Sequence, residues 1–230
     1  MAIRKACVVG AIGTLMLGSA AVHAQQAGDW VLGAGWLHLA PQDSSQALQV
    51  QPSGFPSAVT VSGSGAKVGG ANTIGLSAVY YFTSNWGVET VVGVPPKFKL
   101  DGSGTMAGVG RIGEARQWSP TVLLRYTFLD AESKFRPFVG FGGTYVWYSD
   151  IKLTDNINSA LAARLGAPSA AVNTTAKLSK SFAPVINVGA GYQFDKNWGL
   201  AFSVSYLPLK TKATLTTRSN ATGATVATIP

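Results

Sequence analysis

Apolar and small polar residues alternate along this chain with a period of two, over stretches of about ten residues. Ile74, Leu76, Ala78, Tyr80 and Phe82 stand against Thr73, Gly75, Ser77, Val79 and Tyr81. Trp86, Val88, Thr90, Val92 and Val94 stand against Gly87, Glu89, Val91 and Gly93. The pattern returns with Val122, Leu124, Tyr126 and Phe128, with Ile186, Val188, Ala190, Tyr192 and Phe194, and with Leu200, Phe202, Val204 and Tyr206. A period of two puts alternate side chains on opposite faces of a β-strand. About ten residues is also the length a tilted strand needs to cross a hydrocarbon layer. Trp30 to Ala40 and Phe135 to Tyr148 are strand-like too, with the outward face of each left open. The pattern predicts strands over 29–40, 71–82, 86–95, 119–128, 135–148, 182–194 and 198–208.

One face of each clearly alternating stretch is apolar, and the other is Gly, Ser, Thr and Asn. A water-soluble sandwich would set Lys, Glu and Asp along its solvent face, whereas these five stretches hold only Glu89 and Arg125. Aromatic residues gather at strand ends, among them Tyr80, Phe82, Trp86, Tyr126, Phe128, Tyr192, Phe194 and Trp198, where interfacial girdles sit in outer-membrane barrels. The expected fold is therefore all-β, a transmembrane antiparallel up-and-down barrel. Short connections at 83–85, 129–134 and 195–197 face the periplasm; long ones at 41–70, 95–118, 149–181 and from 208 onward face outside. Seven crossings leave an open edge, and single-chain bacterial barrels close with an even number. Eight strands are expected, with the last apparently missing from this chain. Residues 209–230 read as a strand extension and outer loop; alternatively Ala213 to Ile229 folds back as a poor eighth strand, a reading burdened by Lys210, Lys212 and Arg218.

The N-terminus has another character. Arg4 and Lys5 precede an uncharged apolar stretch from Ala6 to Val22 that closes on Val22-His23-Ala24, the layout of a cleavable secretory signal peptide over 1–24. The remainder, 25–230, forms a single outer-membrane barrel domain in this reading. Cys7, the lone cysteine, leaves with the signal. Charged residues make up 12% of the chain, about half the roughly 25% of soluble domains, which disfavours an ordinary cytosolic enzyme. Removing Arg4 and Lys5 leaves 16 cations against 10 acids, a net charge of +6.

Trp30 to Pro41, the run Asn85-Trp86-Gly87-Val88-Glu89, Pro120 to Phe128, and Lys134-Phe135-Arg136-Pro137-Phe138-Val139-Gly140 resemble the OmpW family of eight-stranded outer-membrane proteins, which includes alkane-uptake proteins of the AlkL type. Gly189-Ala190-Gly191-Tyr192 through Trp198 continues the resemblance, which covers nearly all of 27–208 in order. It implies a narrow barrel with an apolar lumen that passes small hydrophobic molecules inward. The family's aromatic-terminated last strand has no counterpart here.

The residues themselves carry a mechanism. Eight strands enclose an interior that side chains nearly fill, which excludes a wide aqueous porin. With even positions outward, Leu37, Leu39, Val79, Val91, Leu123 and Leu207 line the lumen. Such a lining suits an apolar solute, or equally a packed core with no path. Glu89 and Arg125 point inward on neighbouring strands near the periplasmic end, and a charge in a tight barrel is costly unless paired. Their salt bridge either forms a polar floor, sending a greasy solute sideways, or only fixes register. Outside, Leu48, Val50, Phe55, Val59 and Val61 in the first loop, and Ile157, Leu161 and Leu165 at helical spacing in the third, form a vestibule or a self-packed cap. Lys97, Lys99, Lys152, Lys210 and Lys212 face the anionic lipopolysaccharide and the outer-membrane lipid.

Catalysis is not expected. His38 is the only histidine beyond the signal and, with Asp43 and Ser44, lacks triad spacing. No cofactor, metal or nucleic acid is expected as a partner, and the oligomeric state stays open. Two readings remain: a passive channel for small hydrophobic molecules, and a structural, adhesive or stress-related barrel that transports nothing.

Overall fold

The computed structural model describes residues 2–18, 26–45, 48–52, 59–164, 168, 172–195 and 197–229. In chain order the strands are β1 (Ala2–Gly18), β2 (Trp30–Ser45), β3 (Leu48–Pro52), β4 (Val59–Val61), β5 (Ser64–Val68), β6 (Ala71–Tyr81), β7 (Trp86–Gly93) and β8 (Lys97–Gly104). They continue as β9 (Arg111–Trp118), β10 (Thr121–Thr127), β11 (Phe135–Leu153), β12 (Val172–Leu178), β13 (Ser181–Gln193), β14 (Trp198–Ser219) and β15 (Thr225–Ile229), with helix α1 at Asp155–Arg164.

Every predicted crossing is a strand. β2, β6, β7, β10, β11, β13 and β14 pair in that order, each antiparallel to the next. The edges of this seven-stranded sheet are β2 and β14. β1 lies between them, antiparallel to both. Part of the segment read as a cleavable signal peptide is therefore paired with both edges in this structure, running from the outer end towards the periplasmic end.

The outward faces carry the aromatic and aliphatic positions predicted for lipid. Trp36, Ile74, Val122, Ile186 and Phe202 are all at least half exposed. On β11 the parity reverses: Phe135, Val139, Phe141 and Tyr145 point outward, while Arg136, Phe138 and Val146 are buried.

The outer connections differ from the expected loops. β11 runs to Leu153, and β14 extends 22 residues, roughly 70 Å at about 3.3 Å per residue, far beyond an apolar band about 25 Å tall. Their outer halves are widened by β9, β8 and β5 on one side and by β12, β15, β3 and β4 on the other. Residues 209–229 form the extension of β14 and a hairpin return through β15, rather than an eighth crossing. The helical spacing in the third loop corresponds to α1, where Ile157 is buried; Leu165, like Phe55 of the first loop, lies outside the described residues.

Glycine sets two close approaches that shape the lumen. At Gly75 a Cβ would overlap the Leu37 side chain, so the bare backbone there gives Leu37 its inward place. At Gly142 a Cβ would overlap the Val122 carbonyl oxygen and lie 2.8 Å from Leu123 Cα. Gly142→Ala is expected to push β10 and β11 apart and to cost about 1–3 kcal/mol. Urea unfolding followed by tryptophan fluorescence in lipid vesicles measures it, and an unchanged midpoint would refute the close approach.

Candidate lumen site

The inner face is built in levels. At the outer level, β5, β8, β9 and the extensions of β11 and β14 surround an almost wholly apolar cavity of about 60 Å3, lined by Ala66, Leu100, Met106, Ile112, Leu153, Ile157 and Leu215 among others. Leu100 is the link downward. It packs against the cluster of Ala66, Met106, Ile112 and Ile157, and also against that of Leu37, Leu39, Val68, Ala71 and Phe98. On the facing wall Leu123, Val146, Ala183, Val185, Leu207 and Leu209 pack together, with Tyr148 against them and its hydroxyl 2.9 Å from Thr211 Oγ1.

The middle level is a cavity of about 80 Å3. Leu37, Leu39, Val91, Leu123, Val185 and Leu207 form its greasy walls, and Glu89, Gln117, Asn187, Ser203 and Ser205 its polar points. Five of the six residues expected to line the lumen therefore border one space. Val79, the sixth, borders the next space down with Val31, Gly33, Glu89, Arg125 and Phe138.

There the two inward charges meet. Arg125 Nη1 donates to Glu89 Oε2 at 3.3 Å, both groups being buried. Register explains the meeting: Leu123 is opposite Glu89 and Arg125 opposite Gly87, so the ion pair runs diagonally across one face of β7 and β10. The guanidinium carbon also lies 3.4 Å from the ring centroid of Phe138, a cation–π contact. Arg125 borders the space above and, with Thr127, Lys134, Arg136 and Gln193, a smaller one below. The ion pair therefore stands where these spaces adjoin, Glu89 bordering the middle one and Arg125 the lowest.

Sequence reasoning missed Phe138, Gln117, Asn187 and the role of Arg136. The first and last were hidden by the unassigned parity of β11. Asn187 sits on an inward face with Val185, Gly189 and Gly191, where nothing in the sequence singles out an amide.

The five lysines assigned to the outer surface are exposed there, and Lys97 Nζ lies 3.5 Å from Glu114 Oε1. Arg111 pairs with Asp101 and Arg116 with Asp150, so the β8–β9–β11 face balances much of its charge internally. The face of β12, β13 and β14 differs: Lys177, Lys180, Lys210 and Lys212 are exposed there, and these strands contain no Asp or Glu. His38 Nδ1 lies 2.7 Å from Asn72 Oδ1, a polar contact near the outer end of β2.

Comparison with known proteins places this geometry. The model of the OmpW family matches residues 26–230. Outer membrane protein W of Vibrio cholerae is 32% identical over 212 residues, covering 91% of this chain and 87% of that protein. Outer membrane protein AlkL of Ectopseudomonas oleovorans is 26% identical over 187 residues, 81% of this chain and 71% of that one. The crystal structure of the outer membrane protein OprG from Pseudomonas aeruginosa superposes with a TM-score of 0.70 at 25% identity, covering 90% of each chain.

Proposed function

Because this chain belongs to the OmpW family and is a bacterial outer-membrane β-barrel, we propose that its lumen is a narrow apolar channel for the passive uptake of small hydrophobic molecules. The observation that carries this reading is the apolar wall linking the outer cavity, through Leu100, to the middle cavity. An apolar solute gains about 25 cal/mol for each Å2 it buries, enough to draw it from water into successive greasy spaces without an energy source. The Glu89–Arg125 ion pair then disfavours onward passage of the solute and bars ions, and it directs the solute sideways towards the membrane. No chemical step is part of the reading; the barrel acts as a path, not an enzyme.

Uptake of a labelled small hydrocarbon by cells with and without the protein tests it. Faster entry that Leu39→Asp and Leu123→Asp each reduce at least tenfold, at matched barrel content in the outer membrane, supports the channel. Equal entry with and without the protein refutes it and favours a structural or adhesive barrel.

The lysine face also supports a lipid partner, the phosphates of lipopolysaccharide. Lys180, Lys210 and Lys212, on or beside strands without a carboxylate, are exposed outward of Phe182 and Tyr206, with Lys177 farther out. Each basic residue near a charged membrane surface contributes about 1 kcal/mol. The Lys210→Gln/Lys212→Gln double variant is expected to weaken lipopolysaccharide binding by the detergent-solubilised protein at least tenfold. Binding that is unchanged, and equally insensitive to salt, would remove this partner.

A further inference from the structure

The middle cavity is greasy on most sides and has one unmet polar demand. Asn187 is buried on β13 opposite Ser205. Its amide nitrogen donates to Ser205 Oγ at 2.7 Å and to the Val204 carbonyl at 3.4 Å, which fixes the amide's orientation. The oxygen Oδ1 has no hydrogen-bond partner among the described residues. Gly140 is opposite Asn187 on β11, and a Cβ there would sit 3.4 Å from Leu123 and 3.5 Å from Asn187. The bare backbone at Gly140 thus leaves methyl-sized room between the Leu123 side chain and Asn187 Cβ. Glu89, held by Arg125, presents a second acceptor to the same cavity.

A buried acceptor left without a donor is costly, whereas a lumen meant only for hydrocarbon would be better served by Val or Leu at this position. A site with an unmet hydrogen-bond demand discriminates against analogues that cannot meet it. We propose that the preferred solute is amphipathic: a compact apolar body bearing one hydroxyl or N–H, which donates to Asn187 Oδ1 while the body lies against Leu37, Leu123 and Leu207. This rests on the channel reading and narrows its solute class. It also assigns Asn187 a direct role, since it touches the solute rather than only bracing the barrel.

Cyclohexanol, cyclohexanone and cyclohexane share a ring and differ in what they can donate. Their entry into cells carrying the full chain is measured against entry into cells without it. The protein-dependent rate for cyclohexanol is expected to exceed that for cyclohexanone about fivefold, the factor that follows from a neutral hydrogen bond of about 1 kcal/mol. Asn187→Val is expected to bring that ratio to one. Equal acceleration of cyclohexanol and cyclohexanone by the unmodified protein overturns the proposal, even if the variant fails to fold. If all three are accelerated equally, the channel reading survives without the solute preference; if none is accelerated, both fall.

Discussion

Arg125→Met is expected to destabilise the barrel by about 3–5 kcal/mol, and adding Glu89→Gln to restore most of the loss. The asymmetry follows from where the pair sits. Glu89 is 8% exposed and Arg125 5%, so both have given up most of their hydration, and one contact at 3.3 Å does not return it generously. Arg125 Nε, moreover, has no partner among the described residues. The pair's net worth against an apolar replacement is therefore small. Removing the arginine alone is another matter, because it leaves a carboxylate facing the lumen with no countercharge. The double variant removes that charge and lets Met fill space beside Phe138. Glu89→Gln alone is expected to cost less than Arg125→Met, since the guanidinium keeps its contact with the Phe138 ring. Unfolding midpoints in vesicles rank the three variants. An Arg125→Met midpoint equal to that of the unmodified protein would dismiss the argument. Planar-bilayer conductance reads the ion pair independently: Glu89→Ala, which shortens the side chain shared by the middle space and the one below it, is expected to raise ion conductance.

Those two charges were legible in the sequence because they broke a pattern. Along strands whose inward faces are Gly, Ser, Thr and Asn, a lone Glu and a lone Arg near matching ends invite pairing. The crossings were legible for a related reason: lipid demands apolar side chains on one face, so Trp86, Val88 and Val92 record the outward face of β7 directly. That record stops at the edge of the hydrocarbon. Beyond Pro208 the outward positions of β14 change from aromatic and aliphatic residues to Lys210, Lys212, Thr214 and Thr216, although backbone pairing continues to Ser219. The extension of β11 was consequently read as a loop, whereas that of β14 was read as a strand extension leading into one. β1 has the composition of an export signal, and its backbone pairs with β2 and β14. Asn187 had no legible signal at all, since its importance comes from what Gly140 and Ser205 leave open around it.

Arg136→Leu is the other substitution with a large expected effect, about 3–4 kcal/mol. Its guanidinium reaches two periplasmic turns from one strand. Nη2 donates to the Ser84 carbonyl at 2.7 Å and to that of Leu129 at 3.2 Å, while Nε donates to the Phe128 carbonyl at 3.4 Å. The turn after β6 and the turn after β10 are thereby tied to β11. Hydrogen bonds to a charged group are worth about 1.5–3 kcal/mol each, less than additive when they share one side chain. Leu129 needs this support because its φ is 65°, a left-handed conformation that costs a leucine roughly 1–2 kcal/mol. Asn85 Nδ2 supplies a second donor to the same carbonyl at 3.1 Å and also bonds the Thr127 carbonyl at 2.8 Å. Leu129→Gly relieves the backbone and is expected to recover about 1 kcal/mol in the Arg136→Leu background. Arg136→Lys is expected to recover little, because an ammonium cannot span three carbonyls as a planar fork does. The consequence reaches the lumen: Arg136 and Arg125 border the same lower space, so loosening the turns removes the wall beneath the ion pair. Unfolding midpoints and bilayer conductance of Arg136→Leu should therefore shift together, the first down and the second up. A lower midpoint with unchanged conductance would confine Arg136 to holding the turns.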